Sequence, residues 1–261
     1  MPQTHVIFEK DGPRATLTFN RPEARNAMTW AMYESLAEHC TMVDEDPDIR
    51  VFILRGAGGK AFVAGTDIAQ FRSFETAADG IAYEQRIDTV VDRLETVSKP
   101  TIAHIDGVTT GGGCALAAAC DLRLCTTTSR FGVPIARTVG NCLSAANHAR
   151  FLDLIGPTLL KELLYTGRLL TASEAVRGGL VNQVTEPKEL DRVVREYADT
   201  IAANAPLTIR ATKEMIRRIQ ANRQIDPEVG RDLIVKCYTS DDFKEGVDAF
   251  LNKRRPQWTG H

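Results

Sequence analysis

Apolar and polar residues alternate in HVIFEK and again in ATLTFN, with Gly12 and Pro13 punctuating the DGPR between them. That pattern predicts an opening β-hairpin. After NRPEARNAM, Met32, Leu36 and Cys40 recur at helical spacing, so a helix is expected that ends before Pro47. RVFILRG reads as a buried strand closed by the loop GAGGK. From Tyr83 the apolar positions Ile87, Val90, Val91, Leu94 and Val97 again follow a helical period, ended by Pro100. TIAHIDG is a further strand. RFGVPIARTVGNCLS starts strand-like and is expected to turn helical through His148 to Ile155. Strands and helices thus alternate as far as GLVNQVT, which predicts an α/β layer structure. Beyond Pro187 the period is helical throughout. Leu190, Val193, Val194, Tyr197 and Ile201 form one stripe, NAPLTIRATKEMIRRI opens a helix near Pro206, and Phe243, Val247, Phe250 and Leu251 form another stripe. The chain divides on this reading into an α/β body, 1–195, and a helical region, 196–261.

Composition narrows the function classes. The 261 residues are 43% hydrophobic and 25% charged with a formal net charge of -2, which fits a globular protein with a substantial core. There is no basic footprint for nucleic acid and no polybasic membrane patch. No apolar run approaches the roughly 18 residues of a membrane span, and the N-terminus does not read as a secretory leader. A cytoplasmic location is expected. Cys40, Cys114, Cys120, Cys125, Cys142 and Cys237 form no CxxC pair, so free thiols are expected and a metal site is not.

The chemistry lies in TTGGGCA, residues 109–115, set between the strand TIAHIDGV and the small-residue helix ALAAACDL. Glycines at a helix start leave backbone N–H groups uncovered and aimed past the helix end, where negative charge is favoured. A phosphate loop needs Lys-Ser/Thr after its last glycine, but here Cys114 and Ala115 follow. A dinucleotide fingerprint needs spaced glycines. A tight turn for close packing is the plainer alternative. KAFVAGTDIAQF has the same construction, with a turn at Ala64-Gly65-Thr66 and Asp67 at a helix start, where it reads as an N-cap. Two such turns can set two N–H donors around one oxygen.

AFVAGTDI with DGVTTGGGCALAAACDLRL resembles the signature of the enoyl-CoA hydratase/isomerase (crotonase) family. FNRPEARNAM, RFGVPIA, TGRLLTASEAVRGGLVNQV and SDDFKEGVDAFLNKRRPQW follow in the family's order and span nearly the whole chain. The resemblance implies a spiral of strand-strand-helix units with a helical C-terminal trimerisation region, assembled as a homotrimer or a dimer of trimers. It implies coenzyme A thioesters as substrates, no cofactor beyond that coenzyme A, and an oxyanion hole made by the backbone N–H groups of Thr66 and Gly112. Coenzyme A itself is expected near Arg25, Ala64, Asp67 and Ile68, with Lys253 and Arg254 as further basic positions.

The chain also departs from the family. The two glutamates that family hydratases use fall at Ala115 and Ile135, both apolar, and such acid-base groups are worth about 100- to 10000-fold each. Ordinary hydration is therefore not expected. The segment from 135 to 150, which in the family lines the far side of the acyl pocket, offers Arg137, Asn141, Cys142, Ser144 and His148. Of these, Arg137 and Asn141 are the catalytic candidates, since a guanidinium in an apolar run suits a second carboxylate on the substrate. Each also has a structural alternative: ion pairing for Arg137, capping of the next helix for Asn141. His104 reads as a core histidine. The leading reading is an acyl-CoA enzyme working through an enolate-type intermediate. The alternatives are a decarboxylase, a thioester hydrolase, or a catalytically silent acyl-CoA-binding subunit.

Overall fold

The opening alternation closes as a hairpin. In the structure, a computed structural model describing residues 5–221, 228 and 230–259, β1 (Val6–Asp11) pairs antiparallel with β2 (Arg14–Phe19). Every second residue of β2, Ala15, Leu17 and Phe19, is fully buried, as a strand with one face on a core requires. Helix α1 (Trp30–Glu45) follows, its Thr29 cap accepting the Met32 N–H at 3.3 Å, and sends Met32, Leu36 and Cys40 inward.

From there one geometric unit recurs, placing a strand in one sheet, the next strand in a second sheet, and then a helix. The first unit is β3 (Val51–Gly56), β4 (Ala61–Val63) and α2 (Ala77–Glu95). The second is β5 (Thr101–Ile105), β6 (Val108–Thr110) and α3 (Gly112–Ala119). The third is β7 (Leu122–Thr126), β8 (Arg130–Gly132), α4 (Ile135–Thr138) and α5 (Ala145–Thr166). The chain then passes β9 (Leu170–Thr171), α6 (Ala172–Arg177) and β10 (Gln183–Thr185). The six-stranded sheet runs β1-β2-β3-β5-β7-β10 and the four-stranded sheet β4-β6-β8-β9. This is the expected spiral, a repeat of geometry without a repeat of sequence.

The main core lies between α1, α2, α3 and the inner faces of the sheets. A second, smaller core forms where α7 (Leu190–Ala203) lays Leu190, Val193, Val194 and Ala198 on Val51, Ile53, Ile102 and Leu124. The boundary placed at residue 195 therefore falls inside a helix that covers the sheet. α8 (Pro206–Ala221) leaves Leu207, Met215, Ile216 and Ile219 exposed. α9 (Arg231–Tyr238) packs on α2, and α10 (Asp241–Leu251) packs on α4 and on the 3-10 turn Ile68–Ser73.

Three expectations are corrected. α2 starts at Ala77, six residues before Tyr83, because Asp79 reaches back to the Thr76 N–H at 2.7 Å and closes a polar first turn. α5 continues past Ile155 to Thr166, broken at Gly156 (φ 67°) and restarted by Pro157, a residue suited to a first turn. Phe250 leaves the buried stripe of α10 and stands 49% exposed, while Phe243 and Val247 are buried. α10 is seated at Gly246, where a Cβ would lie 2.5 Å from the Val139 carbonyl, whereas Phe250 stands one turn further on, in the last turn of the helix. No helix among the described residues is long and apolar enough to cross a membrane.

Candidate active site

The three glycines have three separate causes. Gly111 takes φ 54° and ψ -123°, a conformation that only glycine adopts without strain, and its N–H donates to the Gly132 carbonyl at 3.0 Å. Gly112 begins α3, and a Cβ there would come within 2.7 Å of the Tyr33 hydroxyl. Gly113 faces β4 so closely that a Cβ would meet the Val63 carbonyl oxygen at 2.1 Å. The turn is thus pressed onto the end of β4, where the second small-residue turn begins.

That second turn is held by the N-terminal loop. Met28 donates its N–H to the Gly65 carbonyl at 2.8 Å and accepts the Asp67 N–H at 2.9 Å, forming a parallel bridge opposite Thr66. In such a bridge the flanking residues make the bonds, so the N–H of Thr66 itself points the other way. Asn26, fully buried, pins the loop by donating to the carbonyls of Ala57 (3.0 Å) and Ala61 (2.8 Å) and accepting the Arg21 N–H (2.9 Å). Among the described residues neither the Thr66 N–H nor the Gly112 N–H has a hydrogen-bond acceptor. They are neighbours: Thr66 N lies 3.9 Å from the Cβ position of Gly112. At the far end of α3 the buried Arg123 holds the helix, donating to the carbonyls of Ala117 (3.0 Å), Cys120 and Leu180 (2.7 Å). Both ends of the short helix are therefore fixed, with its positive N-terminal end at the two free N–H groups.

Around this pair stands a wall that the sequence reading missed. The Thr66 Oγ1 lies 2.9 Å from both the Tyr33 and the Tyr83 hydroxyls. Tyr83 stacks against Trp30, Phe71 and Tyr238 at centroid distances of 5.8, 4.9 and 6.1 Å. Beside Tyr83, Glu84 is 4% exposed. Its Oε1 accepts the Tyr238 hydroxyl at 2.7 Å and its Oε2 accepts the Ser144 N–H at 3.0 Å. Burial pushes its carboxyl up to about 8, the nearby Asp88 acts in the same direction, and the bonds from Tyr238 and Ser144 oppose it. The signal was available: Gly80, Tyr83, Glu84, Ile87 and Val91 share the buried face of α2, which puts a carboxylate inside an apolar stripe.

The structure brings some candidates together and separates others. The Ala64 N–H donates to the carbonyl of Arg25 at 3.1 Å, so Arg25, Ala64, Asp67 and Ile68 form one patch beside Thr66. The Asp67 carboxylate is committed, capping the Ala69 N–H at 3.1 Å and pairing with Arg21 at 3.1 Å. Lys253 sits in an exposed turn past α10 with φ 55°, and Arg254 pairs with Glu245 and Asp248. Arg137 is exposed on α4, and its guanidinium has no partner among the described residues. Asn141 does not cap α5; Ser144 does, accepting the Asn147 N–H at 3.2 Å. Asn141 instead donates from Nδ2 to the Tyr238 hydroxyl at 3.0 Å, and its buried Oδ1 is left without a donor. Cys142 is half-buried beside Cys237, and His148 bonds back through Nδ1 to the Ser144 carbonyl at 2.9 Å. His104 lies on the α7 side of the sheet, paired with Asp191 at 2.7 Å and away from the turns. Ala115 is buried on α3, and Ile135 opens α4 three residues after Gly132.

Comparisons with other proteins point to one family. The family model for enoyl-CoA hydratase/isomerase matches residues 11–261. The chain is 34% identical over 256 residues to a short-chain-enoyl-CoA hydratase of Clostridium acetobutylicum, covering 98% of this chain and 97% of that one. Among solved structures it is similar to an enoyl-CoA hydratase/carnithine racemase from Magnetospirillum magneticum, at 35% identity and a TM-score of 0.81 over 99% and 97% of the two chains. It also superimposes on a methylmalonyl-CoA decarboxylase in complex with 2-nitronate-propionyl-CoA, at 27% identity and a TM-score of 0.91 over 99% of each chain. The crotonase fold, the paired small-residue turns and the family model over nearly the whole length lead to one conclusion: the chain belongs to the enoyl-CoA hydratase/isomerase family.

Proposed function

We propose that the protein acts on coenzyme A thioesters, holding the thioester oxygen between the N–H groups of Thr66 and Gly112 while negative charge develops there. The observation that carries this reading is the pair of adjacent backbone donors that the fold leaves without acceptors. Donors fixed in advance need no reorganisation as the enolate forms. The patch of Arg25, Ala64, Asp67 and Ile68 beside Thr66 is the proposed seat of the coenzyme A, with Lys253 as a more distant contributor. No further cofactor is invoked, and a cytoplasmic location is part of the same reading.

With Ala115 and Ile135 in place of carboxylates, water has no charged base at either position, so hydration of crotonyl-CoA is expected to be slow. A second reading, decarboxylation, has two observations in its favour: the close superposition on methylmalonyl-CoA decarboxylase and the unpaired guanidinium of Arg137. Loss of CO2 breaks a carbon–carbon bond and leaves its electron pair as the enolate, which requires the hole but no base. The test is incubation with enoyl-, 3-hydroxyacyl-, 3-oxoacyl- and malonyl-type thioesters, with products read by mass spectrometry. Release of CO2 from a malonyl-type thioester with little hydration is the expected result. The folded Ala115→Glu/Ile135→Glu variant is expected to gain hydratase activity. Efficient hydration by the unmodified protein would overturn the assignment.

We also propose a homotrimer or a dimer of trimers, assembled through the exposed apolar residues of α8. Sedimentation at micromolar concentration is expected to give a multiple of three chains, and a stable monomer would refute it.

A further inference from the structure

The carboxyl that α3 lacks at Ala115 is present on the helix packed against it. α2 lies on α3 and carries Glu84 inward, 4% exposed, with Tyr238 on one oxygen and the Ser144 N–H on the other. Tyr238 leans on Tyr83, and Tyr83 meets the side chain of Thr66, whose N–H is one of the two free donors. Tyr238 and Tyr83 therefore link the carboxyl to the side chain beside the proposed oxyanion hole.

The hydrogen bonds form a short chain with an open end. Asn141 Nδ2 donates to Tyr238, Tyr238 donates to Glu84, and Asn141 Oδ1 is buried with no donor. When Glu84 is protonated the polarity reverses: Glu84 donates to Tyr238, and Tyr238 donates to Asn141 Oδ1 once the amide has rotated. Both states keep Glu84, Tyr238 and Asn141 bonded in one chain and differ in its direction, which is what a proton path requires.

We propose that the Tyr238 hydroxyl is the proton-transfer group of the acyl pocket and that Glu84 is the positioning residue behind it that stores the proton. The proposal rests on the thioester reading above. In the forward step the Tyr238 O–H bond breaks, a C–H bond forms at the α-carbon of the enolate, and the Glu84 proton passes to the Tyr238 oxygen. Glu84 becomes a carboxylate, and the enolate electron pair becomes the new C–H bond. In reverse, the α-carbon proton goes to Tyr238 while the Tyr238 proton goes to the Glu84 carboxylate, and the electron pair of the broken bond enters the enolate.

The simplest probe is deuterium exchange into the α-carbon of butyryl-CoA in D2O, followed by mass spectrometry, with binding of butyryl-CoA measured separately. The unmodified protein is expected to exchange, at a rate that rises with pH through about 8 as Glu84 becomes a base. Tyr238→Phe and Glu84→Gln are each expected to lower the rate about 100-fold or more, with butyryl-CoA affinity retained and the pH dependence lost in Glu84→Gln. The other titratable groups facing this carboxyl are Asp88 on α2, Tyr33 on α1, Tyr83, Tyr238 on α9 and Cys142. Cys237, which the hydrogen bond from Cys142 lowers to about 7, titrates in the same range. Cys237→Ser and Asp88→Asn are therefore expected to keep the rise. Exchange within threefold of the unmodified protein in both Tyr238→Phe and Glu84→Gln would overturn the proposal, as would an unmodified protein that binds butyryl-CoA and exchanges nothing. Failure to bind any coenzyme A thioester would overturn the thioester reading and the relay with it.

Discussion

Replacing Gly112 by proline is expected to cut turnover of any thioester substrate about 100- to 1000-fold, the usual cost of losing one oxyanion donor. Proline removes the N–H outright, and Gly112 is the first residue of α3, the helical position that tolerates proline best. Gly111 before it has ψ -123°, outside the α region that a following proline disfavours. The complication is the added Cβ, which would meet the Tyr33 hydroxyl at 2.7 Å. Tyr33→Phe removes that oxygen, so the comparison belongs in the Tyr33→Phe background. There Gly112→Ala adds the Cβ and keeps the N–H, whereas Gly112→Pro adds the Cβ and deletes it. A large gap in turnover between the two folded variants is the expected result. Equal turnover would show that the Gly112 N–H is not a donor to the reacting oxygen.

How much of this was legible in the sequence depends on what kind of force each feature rests on. Burial periodicity marked β2, α1 and α7, because Leu17, Leu36 and Val193 repeat at the spacing of their own element. Both turns that carry the proposed hole were legible because glycine and small residues at a strand-to-helix junction have few uses. The start of α2 was hidden, since a capping box is made of polar residues that carry no periodicity. The exposure of Phe250 was hidden too, because periodicity marks the face of a helix and not how far along it the covering elements reach. Asn141 was given the wrong structural alternative. Its partner, Tyr238, is 97 positions distant, whereas a cap would have been local. Glu84 shows the limit most clearly: an acidic residue within an apolar stripe was visible, but the hydroxyl and amide that hold it come from α9 and from the segment before α5.

The same carboxyl makes folding stability depend on pH in a direction that can be worked out. Its ordinary value is 4.5 and burial raises it to about 8 in the folded protein. Below 4.5 the group is protonated in both folded and unfolded chains, and the stability of the fold is undiminished. Between 4.5 and 8 the unfolded chain releases the proton while the folded chain keeps it, so the folded state binds more protons and stability falls as pH rises. Above 8 the loss is complete. One pKa unit corresponds to about 1.36 kcal/mol, so the total is on the order of a few kcal/mol. Glu84→Gln copies the protonated acid: its oxygen accepts the Ser144 N–H, its amide donates to Tyr238, and Tyr238 donates to Asn141 Oδ1. The variant is expected to match the unmodified protein near pH 4 and to become the more stable of the two as pH rises, with the gap largest at pH 8 to 9. Thermal unfolding across that range is the measurement, read as the difference in Tm at each pH. A constant difference would mean that Glu84 ionises equally well in both states and is not held as an acid by its surroundings. A gap that widens with pH, in a variant that also loses α-proton exchange, would show a residue that the fold would be more stable without and that is retained for the proton it carries.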